Sequence, residues 1–121
     1  MVEATEWIAY WREYEVTGIF PESDVSYELD RMARESPEAA WVVILEILSH
    51  ISALPEEPTF QALAAGPLED LLANHGAAFI ERVEAEASRS PAFRMLLGGV
   101  WQNTTENSVW KRVLACNRER W

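Results

Sequence analysis

Two carboxylates and an imidazole, Glu69, Asp70 and His75, fall close together in one short stretch of this chain. These types support proton transfer, because carboxylates accept protons and an imidazole changes charge near neutral pH. Adjacent helical residues project about 100° apart, so Glu69 and Asp70 do not make an acid/base pair by themselves. Their expected work is to complement the positive start of a helix, and His75 reads as a capping or packing residue at its end. The three nevertheless mark a candidate pocket. No other chemistry-bearing group comes with a partner. Ser88-Arg89-Ser90 and Cys116 lack an activating base in any recognisable motif, and Leu97-Gly98-Gly99-Val100 lacks the Lys-Ser/Thr of a phosphate loop. Two histidines, His50 and His75, and one cysteine show no metal-ligand spacing. No catalytic residue, metal or cofactor is therefore expected, and the chemistry leans away from an enzyme.

The elements that must position these residues are helices. Gly66 suits an N-cap, Pro67 a first helical position, and Gly76 a left-handed stop, with Leu68, Leu71, Leu72 and His75 on one face. Upstream, Trp7, Ile8, Trp11 and Tyr14 share one side of a helix from Ala4 to Val16, and Ser23 to Arg34 forms an acidic surface helix with Val25, Leu29 and Met32 inward. Ser36-Pro37 opens a third helix, apolar nearly all round through Trp41 to Leu48, which makes it the central buried element. Leu54-Pro55-Glu56-Glu57-Pro58 is a loop, followed by a short helical piece over Thr59 to Ala64. Beyond Gly76 the stripe resumes at Phe79, Ile80, Val83 and Ala87. Ser90-Pro91 starts a helix carrying Phe93, Leu96, Leu97, Val100 and Trp101, in which Gly98-Gly99 allows close packing or a bend. Thr104 or Thr105 caps a last helix with Val109, Trp110, Val113 and Leu114 inward. Nothing sustains a period of two. The expectation is an all-α, single-domain bundle of about six or seven helices, with helical pairs that are locally HEAT-like.

The 121 residues are 49% apolar and carry six Trp, enough for one real core. Trp7, Trp11, Trp41, Trp101 and Trp110 sit at stripe positions and are expected inside; Trp121 has no following chain to cover it, and with Tyr10, Tyr14 and Tyr27 it is the first candidate for an exposed interface anchor. Net charge is −10, and residues 1–60 hold 13 acids against 3 bases whereas residues 61–121 hold 7 of each. That field excludes direct nucleic-acid binding and anionic membranes, both of which need Lys and Arg. No apolar run reaches the roughly 20 residues of a membrane span. The acidic start, Met1 to Glu6, lacks the basic and apolar regions of a secretory signal, and a cytoplasmic protein is expected.

Trp7-Ile8 with Trp11, Pro37-Glu38 before Trp41, the Gly66-Pro67-Leu68-Glu69-Asp70-Leu71-Leu72 run with His75-Gly76, and Phe93-Arg94 before Trp101 and Trp110 together resemble a small bacterial family of unknown function with a Gly-Pro-Leu-Glu core. The resemblance spans Trp7 to Trp110. It implies a small all-α domain and carries no activity, cofactor or catalytic residue.

The segregated charge points to a binding module whose acidic half engages a basic protein partner, as an immunity protein, antitoxin or other inhibitor would. The residues expected to carry this are Glu22, Asp24, Glu28, Asp30 and Glu35, with Tyr27 as an aromatic anchor. The alternative is a small enzyme or ligand-binding domain with its pocket near Glu69, Asp70 and His75; the aromatic content also admits a homo-oligomer.

Overall fold

Helical periodicity and helix-breaking residues dictate the element order. The structure, a computed structural model, describes residues 2–121; Met1 of the acidic start lies outside the described residues. Helix α1 spans Ala4–Thr17, α2 Val25–Glu35 and α3 Pro37–Ser49. Helix α4, Pro58–Leu63, runs through a π-helical turn, Ala64–Leu68, into the long α5, Glu69–Arg89; α6 spans Pro91–Leu97 and α7 Asn107–Cys116. The fold is all-helical, with no strand among the described residues.

One apolar cluster takes side chains from every helix. Trp7, Phe60, Phe93, Leu29, Ile44 and Leu71 are fully buried in it, and a buried side chain such as Phe60 or Leu71 contributes about 1.5–3 kcal/mol. Trp41 packs edge-on against Phe93 and tilted against Phe79, which joins α3 to α5 and α6. Helix α3 supplies much of this core, yet Val42 on its outer side is exposed, so the helix is less enclosed than its composition implies.

Several local expectations are corrected. Gly66 and Pro67 do not start a helix, because Leu63, Ala64, Leu68 and Glu69 are all right-handed helical and the chain passes straight through. Pro67 has no N–H and its ring crowds the preceding turn. The backbone answers by widening, and the Glu69 N–H bonds the Ala64 carbonyl five residues back. Nor does Gly76 stop the helix: α5 kinks at His75 (φ −137°, ψ 21°) and continues to Arg89. A side chain at Gly76 would meet Val109 Cγ1 at 3.0 Å, so the glycine there serves the packing of α7. The Ser36 hydroxyl makes no cap bond, whereas Ser90 Oγ accepts from the Phe93 N–H at 3.1 Å. Helix α7 begins after Glu106, not at Thr104 or Thr105, and Thr105 is buried.

Trp11 and Trp110 are partly buried against the core, and the C-terminal tail decides the environment of Trp101 and Trp121. Helix α6 ends at Leu97, so Trp101 falls in the loop beyond it and is 72% exposed instead of buried. Trp121 is instead partly covered: its ring stacks on Phe60 at 5.3 Å and its indole N–H donates to the Met95 carbonyl at 2.7 Å. Gly98 and Gly99 make this possible, since a Cβ on Gly99 would lie 2.3 Å from the Trp121 ring. The close-packing role expected for the glycine pair is thus realised outside a helix.

Candidate functional site

Asp30 and Arg34, one turn apart on α2, face Gly66 and Asp70, one turn apart on the π-turn and the start of α5. The absence of a side chain on Gly66 permits this approach, because a Cβ there would come within 2.9 Å of Asp30 Oδ1. Arg34 Nη1 donates to Asp70 Oδ2 at 3.3 Å, and His75 Nε2 donates to the Arg34 carbonyl at 2.6 Å. The kink at His75 frees its ring to reach the carboxyl end of α2, where carbonyls lack helical partners.

Burial raises the Asp30 carboxyl from its ordinary 3.8 to about 6, the Asp70 carboxylate adds to the rise, and the Arg34 cation opposes it. Asp70 is raised as well, by burial, against the pull of Arg34. A carboxyl that keeps its proton toward neutral pH beside a second acid is an arrangement suited to proton transfer. The sequence pattern places Asp30 in a partner-facing acidic set; in the structure it is half-buried against the π-turn. The pattern that could have pointed to it is the stripe Asp30–Arg34 beside the apolar stripe Val25–Leu29–Ala33, but its partner Gly66 is distant in sequence.

Glu69 turns away from this cluster. Its carboxylate accepts from the Trp101 backbone N–H at 3.0 Å and from Asn103 Nδ2 at 3.5 Å, anchoring the loop between α6 and α7. Glu69 and His75 therefore line separate depressions, one of about 430 Å³ with Ala65, Trp101 and Asn103, the other of about 360 Å³ with Asn74, Thr104, Glu106 and Val109. Asp70 lies with Asp30 and Arg34, and the three residues of the sequence motif do not converge on one cavity.

The remaining acids of the α2 region divide. Glu22, Asp24 and Tyr27 are exposed, and neither Glu22 nor Asp24 has an ion-pair partner among the described residues. Glu28 and Glu35 both pair with Arg31, Glu28 as a direct hydrogen bond and Glu35 at 3.7 Å. Just before them, Val16, Ile19 and Phe20 expose apolar side chains, and the Phe20 ring stacks on Tyr14 with centroids 4.5 Å apart. Cys116 is a half-buried thiol held above its usual pKa by burial and by Glu84.

A model of a family of unknown function, DUF6869, matches residues 22–121. The chain belongs to this family. The segment shared with DUF6869 contains the Asp30, Gly66, Asp70 and His75 cluster and the Glu69–Trp101 contact, whereas α1 and the exposed Val16–Phe20 segment precede it. Comparison with curated proteins and with solved structures gives no match.

Proposed function

We propose that this member of DUF6869 is a protein-binding module that engages a basic partner through its acidic N-terminal half, acting as an immunity protein, antitoxin or other inhibitor in the bacterial cytoplasm. The observation that carries the reading is the exposed apolar segment Val16, Ile19 and Phe20, followed by Glu22 and Asp24, which have no ion-pair partner among the described residues, and then by the exposed Tyr27. Aromatic anchors inside a charged rim are the composition of protein interfaces. The Tyr14–Phe20 stack holds one such ring in place before any partner arrives, which reduces the entropy lost on binding. The net charge of −10 would steer a basic protein toward this end. Glu28 and Glu35 extend the negative field although Arg31 offsets part of it.

The test is capture of a partner from cell lysate at low and moderate salt, with wild type and with Phe20→Ala or the pair Glu22→Lys and Asp24→Lys. A basic partner is expected whose recovery falls about tenfold or more with Phe20→Ala, the loss typical of an interface anchor. Charge reversal is expected to weaken capture most at low salt. Capture indifferent to all three substitutions would sink the reading.

A second reading, a ligand-binding domain or small enzyme, draws support from one observation: the raised Asp30 carboxyl beside Asp70 at a π-turn, a backbone feature frequent at functional sites. It would be abandoned if Asp70→Asn and His75→Ala both preserved binding and turnover of any ligand found.

A further inference from the structure

Trp101 has the most exposed side chain of the described aromatic residues, and its backbone is held in place. Its backbone N–H is tied to Glu69 Oε1, and the loop that carries it is closed by Asn103 in the left-handed region at φ 49°, a conformation asparagine tolerates better than most residues. Indole and carboxylate line the same depression of about 430 Å³ with Ala65 and Asn103. Glu69 has no ion-pair partner among the described residues. Each of its oxygens accepts one hydrogen bond from the loop, at 3.0 and 3.5 Å, which leaves a lone pair on each. A carboxylate fixed in this way and flanked by an indole has the two halves of a cation seat.

We infer that the cleft between Trp101 and Glu69 seats the guanidinium of an arginine side chain on a protein partner. A planar fork can bond both carboxylate oxygens while it lies over an aromatic ring, and guanidinium is less strongly hydrated than ammonium, so arginine fits better than lysine. The chain already sets a guanidinium against an indole next door. In a depression of about 320 Å³ lined by Trp101, Trp110 and Trp121, the Arg120 guanidinium lies 5.1 Å from the Trp110 ring centroid and donates to the Leu97 and Val100 carbonyls. That second depression carries its own arginine on its wall, whereas the depression on the Glu69 side of Trp101 has the carboxylate and, among the described residues, no cation in its lining. The local charge favours a cationic occupant, because the Glu69 carboxylate has no ion-pair partner among the described residues. The inference rests on the basic-partner reading for the source of the arginine, but its chemistry is testable without the partner.

The experiment follows the Trp101 indole N–H resonance of the ¹⁵N-labelled full chain during titration with a short blocked peptide bearing one arginine, and with its citrulline and lysine counterparts. Citrulline keeps the shape of arginine and lacks the charge. The arginine peptide is expected to give a saturable shift, with citrulline about tenfold weaker and lysine between them. Trp101→Ala, which removes an exposed ring, should abolish the response at the neighbouring Glu69 amide, and Glu69→Gln should weaken it severalfold. Equal responses to arginine and citrulline or to arginine and lysine, no response to any peptide, or an undiminished response in Trp101→Ala would overturn the assignment. Glu22→Lys with Asp24→Lys separates the two readings. If that variant captures the partner normally while the arginine response stands, the N-terminal surface is wrong and this seat is right; a partner lost with the N-terminal charges while wild type ignores the arginine peptide refutes only the seat.

Discussion

Helix α2 has two polar flanks with similar residue types and opposite fates. On one flank Glu28, Arg31 and Glu35 pair with one another at the surface; on the other Asp30 and Arg34 are pressed against the π-turn, Asp70 and His75. The surface group offsets part of its own charge within high-dielectric water. The inner group exchanges water for contacts with a second helix, and its acids shift toward neutrality. Acidic residues on one helix are thus not equivalent reporters of a partner surface: those that tertiary packing has turned inward bear on stability and proton uptake instead.

Substitutions along α2 test this contrast. The largest effect is expected at Leu29, fully buried between the flanks, where Leu29→Ala should destabilise the fold by about 2–5 kcal/mol in chemical denaturation. A small loss there would mean that α2 is only loosely docked and that its flanks do not differ. Next comes Asp30. The folded chain holds the Asp30 proton to about pH 6 whereas the ordinary value is 3.8, so the folded state binds more protons between these limits. Stability contributed by this group is therefore present at low pH, falls as pH rises through that window, and levels off above it. Asp30→Asn should remove the fall and raise stability near pH 7 by on the order of 1 kcal/mol, a value discounted for the part of the side chain open to water. At about pH 4, where folded Asp30 is already neutral, variant and wild type should converge. A variant less stable than wild type at neutral pH would show that the ionised carboxylate is needed. The smallest effect belongs to Arg31→Ala, which removes both exposed pairs and should leave the thermal midpoint unchanged within error. A clear drop would erase the distinction between the flanks.

Much of the fold is legible from local pattern. The stripes Trp7–Ile8, Ile44–Ile47–Leu48 and Phe79–Ile80–Val83 are buried as their spacing requires, Leu29 of the α2 stripe is buried while Val25 and Met32 beside it are partly covered, and Pro37 and Pro91 both occupy helix starts. Local pattern and structure part where one residue type suits two settings. Gly66-Pro67 has the residue types of a helix start and stands inside a helix, because Leu63 and Leu68 on either side are both drawn into the core and keep the segment helical. Trp101 and Trp121 exchanged places for a similar reason. The tail from Asn117 to Trp121 folds back on α6, with Trp121 N–H bonding the Gly98 carbonyl, and no periodicity within either segment encodes that return.

The candidate site was harder to read than the fold. Glu69, Asp70 and His75 stand out by type and spacing, but their work is set by which way each one faces: Glu69 toward the Trp101 loop, Asp70 toward Arg34, and His75 toward the end of α2. The pairing of Asp30 with Gly66 spans two helices, and nothing adjacent to either residue announces it.

The sequence by itself determined the helical class, the apolar stripes that build the core and the excess of acid in the first half, because each depends on residue type and on the period of one backbone conformation. Only the tertiary structure decided which acids meet water and which meet another helix, which tryptophans are covered, and where a π-turn replaces a helix start. Those outcomes depend on the approach of segments far apart in the chain, where the absence of one Cβ or the return of a short tail sets the environment of every neighbouring charge.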